Sequence, residues 1–152
     1  MPKSHLERTL TGIAGEMFVA GKLATMGIVP MMTANVSSGF PRVDIFGYVP
    51  NVNKTVKIQV KTTSSRRKPS WLVYDPERLA RMEDHFFVLV RLDGLGNVFY
   101  VLNGKELSAQ LMNERTAYLK SHPTVKKPQW RISENYIKAY ENKWNSISES
   151  II

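Results

Sequence analysis

The first apolar residues of the chain recur at three- and four-residue intervals, which predicts an amphipathic helix of about six turns. The apolar stripe of this helix consists of Leu6, Leu10, Ile13, Met17, Ala20 and Ala24. Gly27 follows the stripe as a C-terminal stop. Because a surface helix normally turns its apolar stripe toward the core, we expect this stripe to be buried.

Alternating apolar and polar residues then predict strands at about 28–36, at 42–49 and at 55–63. We expect the last two to pair as a hairpin across Pro50-Asn51-Val52-Asn53. Residues 85–92 form an almost unbroken apolar run, which is typical of a strand buried on both faces. Residues 98–102 would pair with this strand across a glycine-containing turn.

Residue patterns that start and end helices lie between these strands and after them. Asp75 before Pro76 is typical of an N-cap and first helical position, and this short helix would end near Asp84. A further helix is predicted at about 105–119, and a last one begins at Ser133. The apolar face of the last helix would comprise Tyr136, Ile137, Tyr140, Trp144 and Ile147.

The order of these elements predicts an α/β fold with a mixed central β-sheet flanked by helices. We expect one domain of 152 residues. Its core would cover about 5–120, and a C-terminal helical extension would cover about 121–152.

Three residues of the predicted hairpin carry candidate chemistry. Gln59 and Lys61 share one face of their strand, roughly 7 Å apart, and Asp44 stands on the neighbouring strand. A carboxylate, an amide oxygen and an ammonium at one place suit a hard divalent cation beside a phosphate. Alternatively, these side chains belong to the solvated face of an edge strand. Asp44 fits that alternative poorly, because an unpaired carboxylate among apolar neighbours is costly.

Composition and charge narrow the classes of function. Hydrophobic residues make up 43% and charged residues 22%, which is typical of a globular protein. The absence of cysteine excludes disulfides, thiolate metal sites and cysteine nucleophiles. A net charge of +8 favours a polyanionic partner such as nucleic acid. We see no bilayer-spanning run or signal-peptide core, so we expect a cytoplasmic protein.

Basic residues follow the strand that carries Lys61. Arg66, Arg67 and Lys68 precede Trp71, and they would contact backbone phosphates while the indole stacked on a base. The alternative for Trp71 is a place in the core. A similar segment around Lys126 is a weaker candidate.

This combination of elements resembles the PD-(D/E)XK nuclease superfamily, which has the restriction-endonuclease-like fold. The resemblance is carried by Pro41-Arg42-Val43-Asp44, by Gln59-Val60-Lys61 and by Glu16 on the first helix. The stretch from Ser38 to Ile45 is similar to archaeal Holliday-junction resolvases. Glutamine before Val60-Lys61 replaces the usual acid, as it does in compact homing endonucleases.

The resemblance implies Mg²⁺-dependent hydrolysis of DNA phosphodiesters, with Mn²⁺ able to replace Mg²⁺. It implies that Asp44, Gln59, Glu16 and the Val60 carbonyl are metal ligands. Lys61 would be the catalytic base or charge stabiliser, with Asp44, Gln59 and Glu16 completing the catalytic set. Ser38, Arg66, Arg67 and Lys68 would contact DNA. A homodimer would serve to cut both strands.

Two other classes of function stay open. One is a nucleic-acid-binding module of the same fold that does not cut, in which Gln59 marks a lapsed site. The other is a protein-interaction subunit whose charge serves solubility. The sequence does not separate DNA from RNA as substrate. It also leaves open restriction, repair, recombination and homing roles.

Overall fold

The computed structural model describes residues 2–33, 43–94, 96–124 and 129–152. Its helices and strands follow in chain order. They are α1 His5–Thr25, β1 Val29–Met32, β2 Ile45–Val49, β3 Lys54–Thr63, β4 Ser70–Leu72, α2 Pro76–Ala80, β5 His85–Arg91, β6 Val98–Asn103, α3 Gly104–Ser121, β7 Arg131–Ser133 and α4 Asn145–Glu149.

The described strands form a central sheet of five strands in the order β1-β2-β3-β5-β6, and a separate antiparallel pair of β4 and β7. Within the central sheet, β3 and β5 are parallel and the other neighbours are antiparallel. Helix α1 covers one face, and α2 and α3 lie on the other. This architecture confirms the predicted α/β fold with a mixed central sheet flanked by helices.

The two predicted hairpins are present. Strands β2 and β3 are joined by a 3₁₀ turn over Pro50–Val52, and Asn53 closes it in the left-handed region at φ 50°. Strand β3 is third of the five strands, between β2 and β5. The alternative of an exposed edge strand is therefore excluded, and the polar face of β3 is partly covered, with Gln59 buried and Lys57 still 43% exposed.

Helix α1 has the predicted length but buries a different face. Its buried residues are Gly15, Val19 and Leu23, which pack on the sheet. Most of the predicted stripe is exposed instead, with Leu6 66% and Met17 63% exposed, whereas Ala20 is half-buried and packs against the core. The expectation that this stripe faces the core is wrong, because the helix needs a glycine, not a large side chain, where it approaches β3.

The C-terminal segment is not the long helix predicted from Ser133. It consists of β7, two 3₁₀ turns and the five-residue α4. Asn142 adopts φ 53°, a left-handed conformation that interrupts a helix. Ile137 packs in the core on the α3 side of the sheet, and Ile147 packs on the α1 side. The segment therefore completes both cores.

Smaller differences concern the element boundaries. Strand β2 starts one residue after Asp44, and α2 ends at Ala80, before the predicted Asp84. Within the described ranges, no helix is both long and apolar enough to cross a membrane.

Candidate active site

Asp44 lies immediately before β2, at the point where β2 stops pairing with β3. Ile45 pairs with Ile58, and the Asp44 N–H continues the ladder by donating to the Ile58 carbonyl at 2.9 Å. Beyond this bond, the Val60 N–H donates to Asp44 Oδ2 at 2.7 Å. The carboxylate therefore replaces the missing strand and is held against the β3 backbone.

The Val60 carbonyl points to the same side of β3 as this carboxylate. The N–H and C=O groups of one strand residue point toward the same neighbouring strand. Because the Val60 N–H bonds Asp44, its carbonyl also points toward the β2 side, past the start of β2. The Val60 side chain is buried on the α1 side of the sheet.

Gln59 immediately precedes Val60, whose N–H binds the Asp44 carboxylate, and is only 1% exposed. Its Nε2 donates to the Tyr74 hydroxyl at 2.9 Å. Its Oε1 is buried and has no hydrogen-bond partner among the residues that the structure describes. A buried polar atom without a partner is costly and uncommon, and an amide oxygen is a good ligand for Mg²⁺ or Ca²⁺.

Lys61 lies on the same face of β3 as Gln59, as the alternation predicts. Its Nζ is 5.5 Å from the centre of the Tyr74 ring. The Tyr74 side chain thus touches both Gln59 and Lys61. The Arg78 guanidinium covers the same ring, with its Cζ 3.6 Å from the ring centre. The Asp44 carboxylate binds the β3 backbone at Val60, between Gln59 and Lys61, whose side chains share one face of the strand.

Tyr74 is the residue of this region that the sequence did not single out. It lies in the connection between β4 and α2, just before the Asp75 N-cap. Its ring also packs edge-on against Phe87 of β5, with 6.4 Å between ring centres. No spacing along the chain connects it to Gln59, because the contact depends on how the connection folds over the sheet.

Glu16 approaches β3 from the other side of the sheet. It follows Gly15, whose backbone lies against Thr62 of β3. Thr62 alternates with Lys61 and so faces α1. Glu16 is half-buried on this helix. It is placed near the same strand as the other candidate residues, but on the helix that covers the opposite face.

The basic residues that follow β3 are exposed. Arg66, Arg67 and Lys68 occupy the loop between β3 and β4, and the Arg66 guanidinium lies against Gly94 in the β5–β6 turn. Trp71 is 2% exposed, and its indole N–H donates to the Val90 carbonyl at 3.0 Å. Its alternative place in the core is confirmed.

Other predicted contacts lie outside the described residues. They are Ser38 and the segments Pro41-Arg42 and Lys126-Lys127.

Arg91 is a further cation on the same face of the sheet as Lys61, but it forms ion pairs with two carboxylates. It pairs with Glu134 at 3.1 Å and with Asp93 at 3.0 Å. Tyr100 donates to Glu134 at 2.6 Å, and burial, together with this hydrogen bond, raises the pKa of the Tyr100 hydroxyl well above its usual range. This cluster fixes β7 and the following turn to the sheet.

Comparison with known proteins shows what this arrangement resembles. No protein-family model matches the chain, and no curated protein matches it. Among solved structures, the chain is similar to a bacterial homing endonuclease, I-Ssp6803I. The TM-score is 0.53 at 16% identity, and the likeness covers 99% of this chain and 95% of that one. The chain therefore has a nuclease-like α/β fold along nearly its whole length.

Proposed function

We propose that this protein is a metal-dependent endonuclease that hydrolyses DNA phosphodiester bonds. It would be a variant of the PD-(D/E)XK site with glutamine in place of the second acid. The observation that carries the proposal is the Gln59 amide oxygen, which is buried without a partner among the described residues, one residue before the Val60 N–H that binds the Asp44 carboxylate. The similarity of fold to a homing endonuclease supports it.

The residues present fit a hard divalent cation. Asp44, Gln59 Oε1 and the Val60 carbonyl would hold Mg²⁺ or Mn²⁺, and Glu16 would be an auxiliary acid. The bound cation would polarise the phosphate and lower the pKa of a coordinated water. Asp44 is kept in place by the Val60 N–H, so its carboxylate needs little rearrangement to bind.

Lys61 supplies the second part of the chemistry. Its ammonium stands on the face of β3 that carries Gln59, above the Tyr74 ring. From this position it would orient the attacking water or stabilise the negative charge that develops on the phosphate. Hydrolysis would then add the water oxygen to phosphorus and release an alkoxide oxygen, which takes a proton.

Gln59 lowers the negative charge of the site by one unit relative to a two-acid site. Metal affinity falls as the number of charged ligands decreases. We therefore expect weak metal binding to the free protein and stronger binding when a DNA phosphate adds its own oxygen.

DNA is the proposed partner because the chain carries a net charge of +8 and an exposed basic loop. We expect the double substitution Arg66→Ala and Arg67→Ala to weaken duplex binding. It should also reduce the slope of log K against log salt by about 1 to 2. An unchanged slope would show that DNA does not pass over this loop.

Plasmid nicking tests the catalytic proposal. Wild type, Asp44→Asn and Lys61→Met would be incubated with supercoiled plasmid in Mg²⁺, in Mn²⁺ and in EDTA. The exposed Glu83→Gln is a matched control, because it removes an acid away from the site. We expect nicking by wild type and Glu83→Gln in either metal, and none by the two site variants.

One observation favours a non-catalytic nucleic-acid-binding module of the same fold. Gln59 puts a neutral amide where the PD-(D/E)XK site has an acid, and the described residues contain no group of three or more His, Asp or Glu residues that would hold a metal instead. If wild type and Asp44→Asn bind duplex DNA equally and neither nicks it in Mg²⁺ or Mn²⁺, the binding module is the correct function.

A further inference from the structure

Helix α1 presents a row of large apolar side chains to solvent. Leu6 is 66%, Leu10 54%, Ile13 47% and Met17 63% exposed. We call these four residues the outer stripe. In a surface helix, most apolar side chains normally face the hydrophobic core of the protein. A continuous exposed row of them therefore marks an interaction surface.

The protein's own core cannot cover this row. The face of α1 that packs on the sheet carries Gly15, Val19 and Leu23. At about 100° per residue, the outer stripe is centred roughly 145° away from that face. The two apolar faces of α1 therefore serve two different contacts.

The spacing of the outer stripe indicates what covers it. Its residues follow one another at intervals of four, three and four. This is the heptad pattern of a seam between two helices, which fits a straight helical partner better than a flat surface. The four positions extend about 17 Å along the helix.

Charge indicates that the partner is not a polyanion. Within His5–Thr25 the charged residues are Glu7, Arg8, Glu16 and Lys22, so α1 has no formal net charge although the chain carries +8. An anionic membrane or nucleic acid would prefer the basic surfaces. Two copies of this chain would repel each other least where their helices are neutral.

We propose that the outer stripe is the interface between two copies of this chain, with α1 of one packed against α1 of the other. Such a contact is isologous, because the same residues face each other across a two-fold axis. Since Gly15 holds α1 against β3, the seam also places the two candidate sites on either side of the axis. The inference does not depend on the catalytic proposal.

Sedimentation analysis tests the interface. Wild type at tens of micromolar is expected to sediment as a dimer. The double substitution Leu10→Glu and Ile13→Glu should raise the dimer dissociation constant by about 100-fold or more, because it buries carboxylates in the seam. Phe18→Glu is the matched control, since Phe18 is 49% exposed on the same helix but off the stripe.

Cross-linking provides a second measurement that does not depend on charged substitutions. The chain has no cysteine, so a single introduced one reports its own neighbours. Oxidised Ile13→Cys should form a covalent dimer, whereas Lys22→Cys, on another side of the helix, should not.

Three results would overturn the proposal. The first is a wild type that stays monomeric at tens of micromolar, whether or not it binds anionic vesicles. The second is a dimer that Leu10→Glu and Ile13→Glu leave intact. The third is a dimer that Phe18→Glu disrupts to the same extent as the seam variant.

Discussion

The contact between α1 and β3 at Gly15 allows a sharp test of the packing that supports the candidate site. A Cβ atom added at Gly15 would lie 2.8 Å from Thr62 Cβ and 2.9 Å from Thr62 Cγ2, and still closer to Thr62 Oγ1. Real Cβ atoms do not approach other heavy atoms this closely. Gly15→Ala must therefore move the helix or the strand that carries Lys61.

Two other glycines of the same helix supply controls. A Cβ atom at Gly12 or Gly21 would meet no heavy atom within 4 Å. Replacing either by alanine should stabilise the protein by about 0.5–1 kcal/mol, because alanine has the higher helix propensity. The same propensity gain applies at Gly15, so comparison of Gly15→Ala with Gly21→Ala isolates the steric cost.

We expect this steric cost to be about 1–3 kcal/mol, the range for an added methyl group in a packed contact. For a chain of this length, 1 kcal/mol shifts the melting temperature by about 2–4 °C. Urea unfolding would measure the difference in the free energy of unfolding between Gly15→Ala and Gly21→Ala. The added substitution Thr62→Ala should recover part of it, since it removes Oγ1 and Cγ2 but keeps Cβ.

The reasoning would be refuted if Gly15→Ala were as stable as Gly21→Ala. It would also fail if Thr62→Ala lowered the stability of wild type and of Gly15→Ala by the same amount, because the two residues would then be independent.

Three further predictions concern the polar groups on and beside β3. Tyr74→Phe should lower the free energy of unfolding by about 1–3 kcal/mol, because it leaves the buried Gln59 amide without its acceptor; an unchanged unfolding curve would contradict this. Gln59→Glu should have a lower melting temperature than wild type without divalent metal. On addition of Mn²⁺, the melting temperature of Gln59→Glu should rise more than that of wild type, and equal rises would argue against a ligand role for this position. The Asp84 carboxyl accepts hydrogen bonds from Lys57 and His85, which lower its pKa; the resulting stabilisation is present above about pH 4 and is lost as the pH falls further, so acid titrations of wild type and Asp84→Asn should converge at low pH.

The sequence predicted the faces of β3 correctly, because local rules decide that part of the geometry. Alternation along β3 correctly assigns Gln59 and Lys61 to one face, because the period of a strand is fixed by its backbone. The register also follows from a local feature, the short turn that ends at Asn53. The roles of Asp44, Gln59 and Lys61 in catalysis stay predictions.

The orientation of α1 could not be read from its pattern. Hydrophobic periodicity finds an apolar stripe, but it does not say whether the core or another surface covers that stripe. The signal that the sequence offered was Gly15, the one position where α1 touches β3 too closely for a side chain. The start of α1 is fixed by a capping box between Ser4 and Glu7.

The remaining errors come from contacts between distant segments. Glu134, expected inside a helix, instead binds Arg91 and Tyr100 of the central sheet. Such pairings override the local preference for a helix because they satisfy a partly buried cation and a buried hydroxyl. Tyr74 reaches Gln59 in the same long-range way.

Mn²⁺ binding in the presence of a duplex oligonucleotide, measured by calorimetry, tests the central claim most directly. We expect wild type and Glu83→Gln to bind Mn²⁺ stoichiometrically, through Asp44 and the Gln59 oxygen that has no partner among the described residues. Asp44→Asn should weaken it on the order of 100-fold, because it removes the charged ligand. Equal binding by Asp44→Asn, or no binding by wild type with DNA bound, would contradict the claim that this region of β3 is a metal site.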